Sequence, residues 1–295
     1  MSGSTHRDVR EVGGAWSNFQ RHWYGDPAPE LAPLVTQYWL AAWDLRGQPP
    51  FRQLIVPSLS VHLSFVGDDG PVVRGVARRH VSRVLDGVGR AFGVAFRPGG
   101  FRPFLRASVC PITGRSVPAR AVFGPDLPER AMASAAHETE QAGLIEGFLL
   151  ARMPAPDATA ATAAGIVARV SAEPDITRVD TLADRAGISV RGLQRLFAEQ
   201  VGVGPKWVIR HCRLNEVKRR LVAGITVDWA GLAADLGYAD QAHFTRDFAA
   251  MVGEPPTRYA ARYPIGRIGI RFVTPLHPHH SDQSWAPVAV QRLNA

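Results

Sequence analysis

A short pattern occurs twice in the second half of this 295-residue chain, and it constrains the fold more than any other feature. The first copy reads Leu182-Ala183-x-x-x-Gly187, followed by Arg195-x-Phe197, Gly202 and Pro205. The second reads Leu232-Ala233-x-x-x-Gly237, followed by Arg246-x-Phe248, Gly253 and Pro256. A repeat of about fifty residues, with helical spacing, a central glycine and a following arginine, predicts a duplicated helix-turn-helix.

Turn and cap residues divide the region after residue 163 into helices. We expect an opening helix over 164–172, a first pair over 179–185 and 190–200, a long helix over 206–223, and a second pair over 228–236 and 241–251. Gly187 and Gly237 lie at the bends, where glycine can adopt a positive φ without steric cost. Ser189 is a suitable N-cap. Phe197 and Phe248 are expected to anchor the second helix of each pair.

The first 150 residues have a different character. Stretches rich in β-branched and aromatic residues over 34–45, 52–66, 71–77 and 91–96 predict strands, whereas residues 1–30 look irregular. Helical patterns follow over 126–136 and 138–152. We therefore expect an N-terminal domain over 1–152, a linker over 153–163, an all-helical domain over 164–263 and an irregular tail over 264–295.

The overall composition excludes few classes of protein. No run of eighteen apolar residues predicts a membrane span, and the polar start lacks the apolar segment of a signal peptide, so a cytoplasmic, nucleoid-associated protein is expected. The net charge of +8 suits a nucleic-acid partner but is spread along the chain. Cys110 and Cys212 are far apart and are expected to be buried free thiols.

The second helix of each pair carries polar groups that suit the edges of DNA bases. Those in the first unit are Arg191, Gln194 and Arg195, and those in the second are Gln241, His243, Thr245 and Arg246. Arginine can bond both acceptors of guanine and glutamine can pair with adenine, at about 1–3 kcal/mol of discrimination per pair. Four groups are expected to contact phosphates, namely Ser189, Lys206, Arg210 and Thr257. Alternatively, any single one of these side chains is ordinary solvated surface.

The second unit resembles the signature of AraC/XylS-family regulators. The resemblance lies in the run Gly237-Tyr238-Ala239-Asp240-Gln241-Ala242-His243-Phe244-Thr245-Arg246-Asp247-Phe248 and in Gly253-Glu254-Pro255-Pro256-Thr257-Arg258-Tyr259. It covers about 165–263 and implies two helix-turn-helix subdomains joined by a long helix, both inserted into the major groove on one DNA face. It also places the family's base-contacting positions on the seven residues named above. Trp229 departs from the family's smaller aliphatic residue and is expected to belong to the core.

The N-terminal half resembles, over roughly 20–150, a poorly characterised domain that is found fused to this DNA-binding module. The similar residues are Tyr38-Trp39, Pro57, Gly75 and Phe96-Arg97-Pro98-Gly99-Gly100. The resemblance implies a regulatory role but names no ligand. Because a β-rich sensing domain is common in the family, we expect a small barrel or cupin-like sandwich followed by helices, and an α+β chain overall.

The sequence gives little support for a metal site or a catalytic site. His62 and His80 lack the neighbouring histidines or carboxylates that a metal triad needs, and the tail tract over 277–280 would bind metal adventitiously. No glycine-rich phosphate loop or nucleophile elbow occurs, so we predict no metal, no cofactor and no catalytic residue.

A basic cluster in the N-terminal half has three interpretations. Its members are Arg74, Arg78, Arg79 and Arg83. They are solvated surface, a site for an anionic effector, or a contact with flanking DNA.

The leading hypothesis is a sequence-specific transcription regulator whose N-terminal domain senses an effector or pairs subunits. Its partners would be double-stranded operator or promoter DNA, a small-molecule effector, a second copy of the chain, and RNA polymerase if it activates transcription, with no membrane. An alternative is that the N-terminal domain is an enzyme or DNA-repair module that the helical domain targets. That alternative needs a reactive cysteine, and Cys110 has no neighbouring base or thiol motif to activate it.

Overall fold

The structure is a computed structural model that describes residues 19–67, 70–222 and 227–261. Strands predominate up to residue 118 and helices after it, so the chain has the expected α+β fold. The predicted tail over 264–295, with its histidine tract, and the first eighteen residues lie outside the described residues. No helix in the described ranges is long and apolar enough to cross a membrane.

Six strands form the main sheet in the order β1-β2-β7-β4-β5-β8, and a separate pair joins β3 to β6. The strands are β1 (Gln20–Gly25), β2 (Val35–Asp44), β3 (Phe51–Ile55), β4 (His62–Val66), β5 (Val72–Arg74), β6 (Val81–Leu85), β7 (Val88–Phe96) and β8 (Ser116–Pro118). All neighbours are antiparallel. Among the described strands β1 and β8 are the edges, so the main sheet is open rather than a closed barrel.

The register of β2 against β7 places large rings over glycines. Trp39 lies opposite Gly93 and Trp43 opposite Gly89. A Cβ atom at Gly93 would lie 2.4 Å from the Trp39 ring, and one at Gly89 would lie 2.2 Å from the Trp43 ring. The indoles therefore use the space that the missing side chains leave, which fixes the pairing of the two longest strands.

The prediction that residues 1–30 are irregular is wrong for β1, which pairs along its whole length with β2. The strand expected over 71–77 is shorter than predicted, since it ends at Arg74. The backbone leaves the sheet at Gly75, where a Cβ atom would lie 1.9 Å from the Ile112 carbonyl oxygen.

Eleven α-helices are described. They are α1 (Arg102–Leu105), α2 (Arg120–Phe123), α3 (Glu129–Ser134), α4 (Glu138–Leu150), α5 (Ala158–Ala172), α6 (Val179–Ala186), α7 (Val190–Gln200), α8 (Pro205–Val222), α9 (Trp229–Asp235), α10 (Gln241–Val252) and α11 (Pro256–Ala260). The five helices from α6 to α10 agree with the predicted bounds to within one residue at each end.

The predicted linker over 153–163 is helical from Ala158 onward. The Asp157 carboxylate caps α5 by accepting from the backbone N–H groups of Thr159 at 2.8 Å and Ala160 at 3.1 Å. Alanine has the highest helix propensity, so the Ala-rich stretch continues the helix that this cap starts. Irregular chain separates α4 from α5 only over 151–157.

Buried side chains form two main cores. The larger one runs from the sheet through α4 and α5 into α6 and α7, and it includes Leu63, Phe96, Phe148 and Phe197. The smaller one lies among α8, α9, α10 and α11. Trp207, near the start of α8, packs against both. The first helix pair therefore shares a core with the N-terminal sheet, whereas the second pair has its own.

The two cysteines differ in exposure. Cys110 begins a short 3-10 turn and is exposed, so the prediction of a buried thiol is wrong there. Ile112 is the buried member of this turn, so the Cys110 and Pro111 side chains on its other side face solvent. Cys212 is half-buried on α8, and burial raises its pKa to about 11.

Candidate nucleic-acid interface

The two helix pairs are joined by turns of the same geometry. Gly187 and Gly237 have φ of +66° and +68°, in the left-handed region. Gly187 directly follows α6, and Gly237 lies two residues after the end of α9. The residue after each glycine donates its N–H to the carbonyl of the motif alanine, from Ile188 to Ala183 at 3.1 Å and from Tyr238 to Ala233 at 2.9 Å. Such hydrogen bonds satisfy the last carbonyls of a helix. The spacing Ala-x-x-x-Gly is therefore the sequence form of this turn.

Side-chain caps fix the start of each second helix. The Ser189 hydroxyl accepts from the Gly192 N–H at 3.1 Å, as the sequence predicts. In the second unit the Asp240 carboxylate accepts from the His243 N–H at 2.6 Å. Each cap satisfies a backbone N–H that the helix leaves without a partner.

The inner faces of α7 and α10 are anchored as predicted. Phe197 and Phe248 are fully buried, and the motif alanines Ala183 and Ala233 are buried at the contact between the paired helices. Trp229 stacks on Phe244 with 6.3 Å between ring centroids and packs against the second core. The opposite faces of α7 and α10 are left for solvent or a partner.

Six of the seven predicted base-contacting residues are exposed on these outer faces. They are Arg191, Gln194, Arg195, Gln241, His243 and Arg246. Thr245 is half-buried. Within the described residues, none of the three arginines forms an ion pair, whereas Arg178 and Arg185 of the first unit are paired with carboxylates. The guanidinium groups on the outer faces therefore keep their donors for another molecule.

The four predicted phosphate contacts have different surroundings. Ser189, Lys206 and Thr257 are exposed, each at the cap or within the first two residues of a helix. Arg210 lies on α8 with its Nη2 at 2.9 Å from the Asp247 carboxylate and 3.0 Å from the Asp247 carbonyl. The Arg210 guanidinium therefore ties α10 to α8, a role that the sequence does not reveal.

The N-terminal region contacts the C-terminal end of the second helix in both units. In the first unit, the Val109 N–H donates to the Glu199 carbonyl at 2.9 Å and the Thr113 hydroxyl to the Gly202 carbonyl at 2.6 Å. In the second, the His80 N–H donates to the Met251 carbonyl at 2.9 Å.

The motif glycines Gly202 and Gly253 lie at these contacts with φ of +91° and +98°. A Cβ atom at Gly202 would lie 2.8 Å from Thr113 Oγ1, and one at Gly253 would lie 2.8 Å from the His80 ring. Both glycines therefore combine a left-handed backbone with a close approach. Repeat spacing predicts the glycines, but no local signal predicts which distant segment packs on them.

His62 is held in one neutral form. Its Nδ1 accepts from Trp39 Nε1 at 3.2 Å and its Nε2 lies 2.9 Å from the Ser58 hydroxyl. Burial, together with the charge of Arg74, lowers its pKa to about 4. Within the described residues, no group of three or more His, Cys, Asp or Glu side chains is arranged to hold a metal ion.

A cavity of about 470 Å³ lies between the sheet and α3 and α4. Its walls include Phe65, Phe92 and Met132 as apolar groups, and Arg90 and Gln141 as polar ones. Arg90 donates to the carbonyls of Ala133 and Ala135. The cavity has a volume typical of sites for small molecules, and its lining combines apolar rings with the charged side chains of Arg90, Glu129 and Arg130.

Residues 182–262 match the family model of a helix-turn-helix domain. The C-terminal block is an AraC-type helix-turn-helix domain. Domains of this type are found in DNA-binding transcription regulators. Residues 25–118 match a domain of unknown function, DUF6597. No curated protein matches the chain.

Three solved structures are similar to parts of the chain. An AraC-type transcriptional regulator from Chromobacterium violaceum is 22% identical, with 35% of this chain and 91% of that chain covered and a TM-score of 0.31. The DNA-binding domain of AdpA, solved with a target DNA, is 26% identical, with 34% and 90% covered and a TM-score of 0.31. ToxT from Vibrio cholerae is 10% identical, with 83% and 97% covered and a TM-score of 0.39.

Proposed function

We propose that this protein is a sequence-specific transcription regulator that reads two successive major-groove segments of DNA, one with α7 and one with α10. The observation that carries the proposal is the AraC-type domain, in which two turns of equal geometry each present a capped helix with unpaired polar groups outward. Elements read in this way lie about one helical turn, or 34 Å, apart on one face of the duplex.

Each recognition helix has a distinct set of base contacts in this proposal. Arg191, Gln194 and Arg195 contact bases in one element, and Gln241, His243, Thr245 and Arg246 contact bases in the other. Ser189, Lys206 and Thr257 bind phosphates with N–H or O–H donors at helix starts. Because Arg210 is engaged with Asp247, its role is to position α10 before it approaches a phosphate.

The N-terminal domain, over 1–152, is the regulatory part in this proposal, followed by the DNA-binding domain over 164–263. Its effector site is the cavity between the sheet and α4, where Arg90 and the apolar rings would hold a small molecule with an apolar body and a polar end. A second copy of the chain and, for an activator, RNA polymerase are further partners that we propose. Sedimentation over a range of protein concentrations tests the dimer.

The enzymatic alternative has less support. It depends on Cys110, which is exposed on a surface turn, and in the described part of the chain no cluster of ligating side chains accompanies it. Titration of the native thiols tests the alternative, since an activated cysteine reacts far faster than an ordinary one.

The experiment that tests the proposed function is selection of bound sequences from a random DNA pool with the full-length protein. We expect an enriched site with two elements one helical turn apart. Arg195→Ala should relax the preference in one element and Arg246→Ala in the other, by about 1–3 kcal/mol at the affected base pair. No enrichment of any sequence would contradict the proposal. An equal loss of affinity on all sequences would show that the arginine contacts phosphate only.

A further inference from the structure

Three arginines of the N-terminal region lie beside the second helix-turn-helix unit. Arg78 and Arg79 are exposed just before β6, and Arg83 is half-buried on that strand. We call the segment 78–83 the arginine loop. The N–H of His80, in this loop, donates to the Met251 carbonyl at 2.9 Å. Trp207 Nε1 donates to the Arg78 carbonyl at 3.2 Å. Hydrogen bonds therefore hold the loop backbone against the end of α10 and the start of α8.

The same contact brings the loop near a proposed phosphate contact. The His80 ring covers Gly253, where a Cβ atom would lie 2.8 Å from the ring. Thr257, exposed at the start of α11, follows four residues later in the chain. Four residues of fully extended chain span at most about 14 Å. The N-terminus of α11 therefore lies within about 14 Å of the point where the arginine loop contacts the second unit.

The charge of the arginine loop is not neutralised within the described part of the chain. Arg78, Arg79 and Arg83 form no ion pair with any described residue, whereas the surface arginines Arg120 and Arg185 do. The neighbouring Arg74 has its pKa lowered, mainly by burial and further by the charge of Arg83. A concentrated positive charge of this kind attracts an anionic partner.

We propose that the arginine loop is an additional DNA-binding site, through which the N-terminal domain binds phosphates of the duplex that flanks the element read by α10. The inference rests on the proposed function, because it needs α10 to lie in the major groove. The guanidinium groups donate to the non-bridging oxygens of the phosphodiester backbone, a geometry that suits arginine. Contacts of this kind increase affinity on any flanking sequence and leave base preference unchanged.

The salt dependence of binding measures this contact. Full-length wild type and Arg78→Gln/Arg79→Gln are titrated with the selected duplex at several salt concentrations. Each phosphate contact contributes about 0.9 to the slope of log K against log salt, so the loss of two should lower the slope by about 1.8. Between 50 and 200 mM salt the wild-type affinity should then fall about tenfold more than that of the variant.

Two matched variants separate local contact from net charge and folding. Arg106→Gln removes one exposed arginine that follows α1, lies outside the effector cavity and forms no ion pair with any described residue, and we expect the wild-type slope there, whereas Arg79→Gln should lower it by about 0.9. Arg79→Lys keeps the positive charge and should keep most of the slope. Equal thermal unfolding midpoints for these variants would show that the differences arise in binding.

The length of the duplex supplies an independent readout. A duplex that ends at the element read by α10 should bind wild type and Arg78→Gln/Arg79→Gln equally, and a further helical turn should raise only the wild-type affinity. Equal slopes and equal response to length in both proteins would overturn the arginine-loop contact alone. A wild-type protein with no sequence-specific binding would overturn the proposed function itself.

Discussion

The two helix-turn-helix units have the same motif and the same turn geometry, but they are packed into different surroundings. The core of the first unit is continuous with that of the N-terminal sheet, through side chains such as Phe96 and Phe197. The second unit has its own core around Phe244 and Phe248 and contacts the N-terminal region near His80. A duplicated sequence thus encodes two equal turns but not two equal units.

Because their surroundings differ, the two units are expected to differ in stability and mobility despite their similar sequences. Local opening is confined to groups of residues with few contacts to the rest of the molecule. The second unit, with its small core, is expected to open independently. The first cannot open without exposing side chains of the N-terminal sheet.

Truncation of the two anchoring rings gives the largest expected effect. Phe197→Ala and Phe248→Ala should each lower the free energy of unfolding by about 3–5 kcal/mol, because both rings are fully buried. Hydrogen exchange followed by mass spectrometry should show lost protection in the sheet and α4 for Phe197→Ala, but only over 229–260 for Phe248→Ala. An equal loss of protection in β7 for both variants would contradict the proposed difference between the two cores.

Alanine at the motif glycines is expected to have the next largest effect. Gly202→Ala and Gly253→Ala should each cost about 1–3 kcal/mol, since both positions combine positive φ with a close neighbour. Gly187→Ala is the control, because its φ is also positive but nothing lies within 4 Å of the added Cβ, and it should cost about 1 kcal/mol. Urea unfolding provides the values. A cost at Gly187 equal to that at Gly253 would mean that the His80 contact contributes nothing.

Acidification should lower the free energy of unfolding through protonation of His62, which lies on strand β4 of the main sheet. The pKa of this histidine is about 4 in the folded protein, below the usual 6.5. Its contribution is therefore complete above pH 6.5 and is lost as the pH falls toward 4, on the order of 1–2 kcal/mol between pH 7 and pH 5. His62→Gln, which keeps a donor and an acceptor without a charge, should flatten this part of the stability profile. An unchanged profile in the variant would exclude His62 as its source.

The smallest expected effect concerns the ion pair that ties α10 to α8. A double-mutant cycle with Arg210→Ala and Asp247→Ala should give a coupling free energy of about 0.5–1 kcal/mol, because both side chains are partly exposed. Hydrogen-exchange protection should decrease over 241–252 in the single variants. Protection in α7 serves as the internal control and should not change.

The helices of the C-terminal block could be predicted because their signals are local. Ser189 as a cap, Gly187 and Gly237 as turns and the apolar spacing of Phe197 all act within a few residues of their effect. The outward position of six of the seven candidate base contacts followed from the same spacing.

The N-terminal half was harder to predict because its structure depends on long-range pairing. The strands β6 and β8 are short and pair with β3 and β5, which lie about 30 and 44 residues earlier in the chain, whereas β1 is an edge strand of largely polar sequence that pairs with its neighbour β2. The contacts of His80 with Gly253 and of Thr113 with Gly202 join segments with no shared pattern. The engagement of Arg210 with Asp247 was missed because an arginine on a basic helix looks like a free phosphate ligand.

Binding to spaced DNA elements tests most directly the claim that both units read one face of the duplex from a fixed arrangement. Affinity is measured for the selected site and for a site with five base pairs inserted between its elements, which turns one element to the opposite face. If both units read one face, the inserted site should bind no better than a single element. Equal affinity for the two sites would contradict this claim, because the units would then move freely relative to each other.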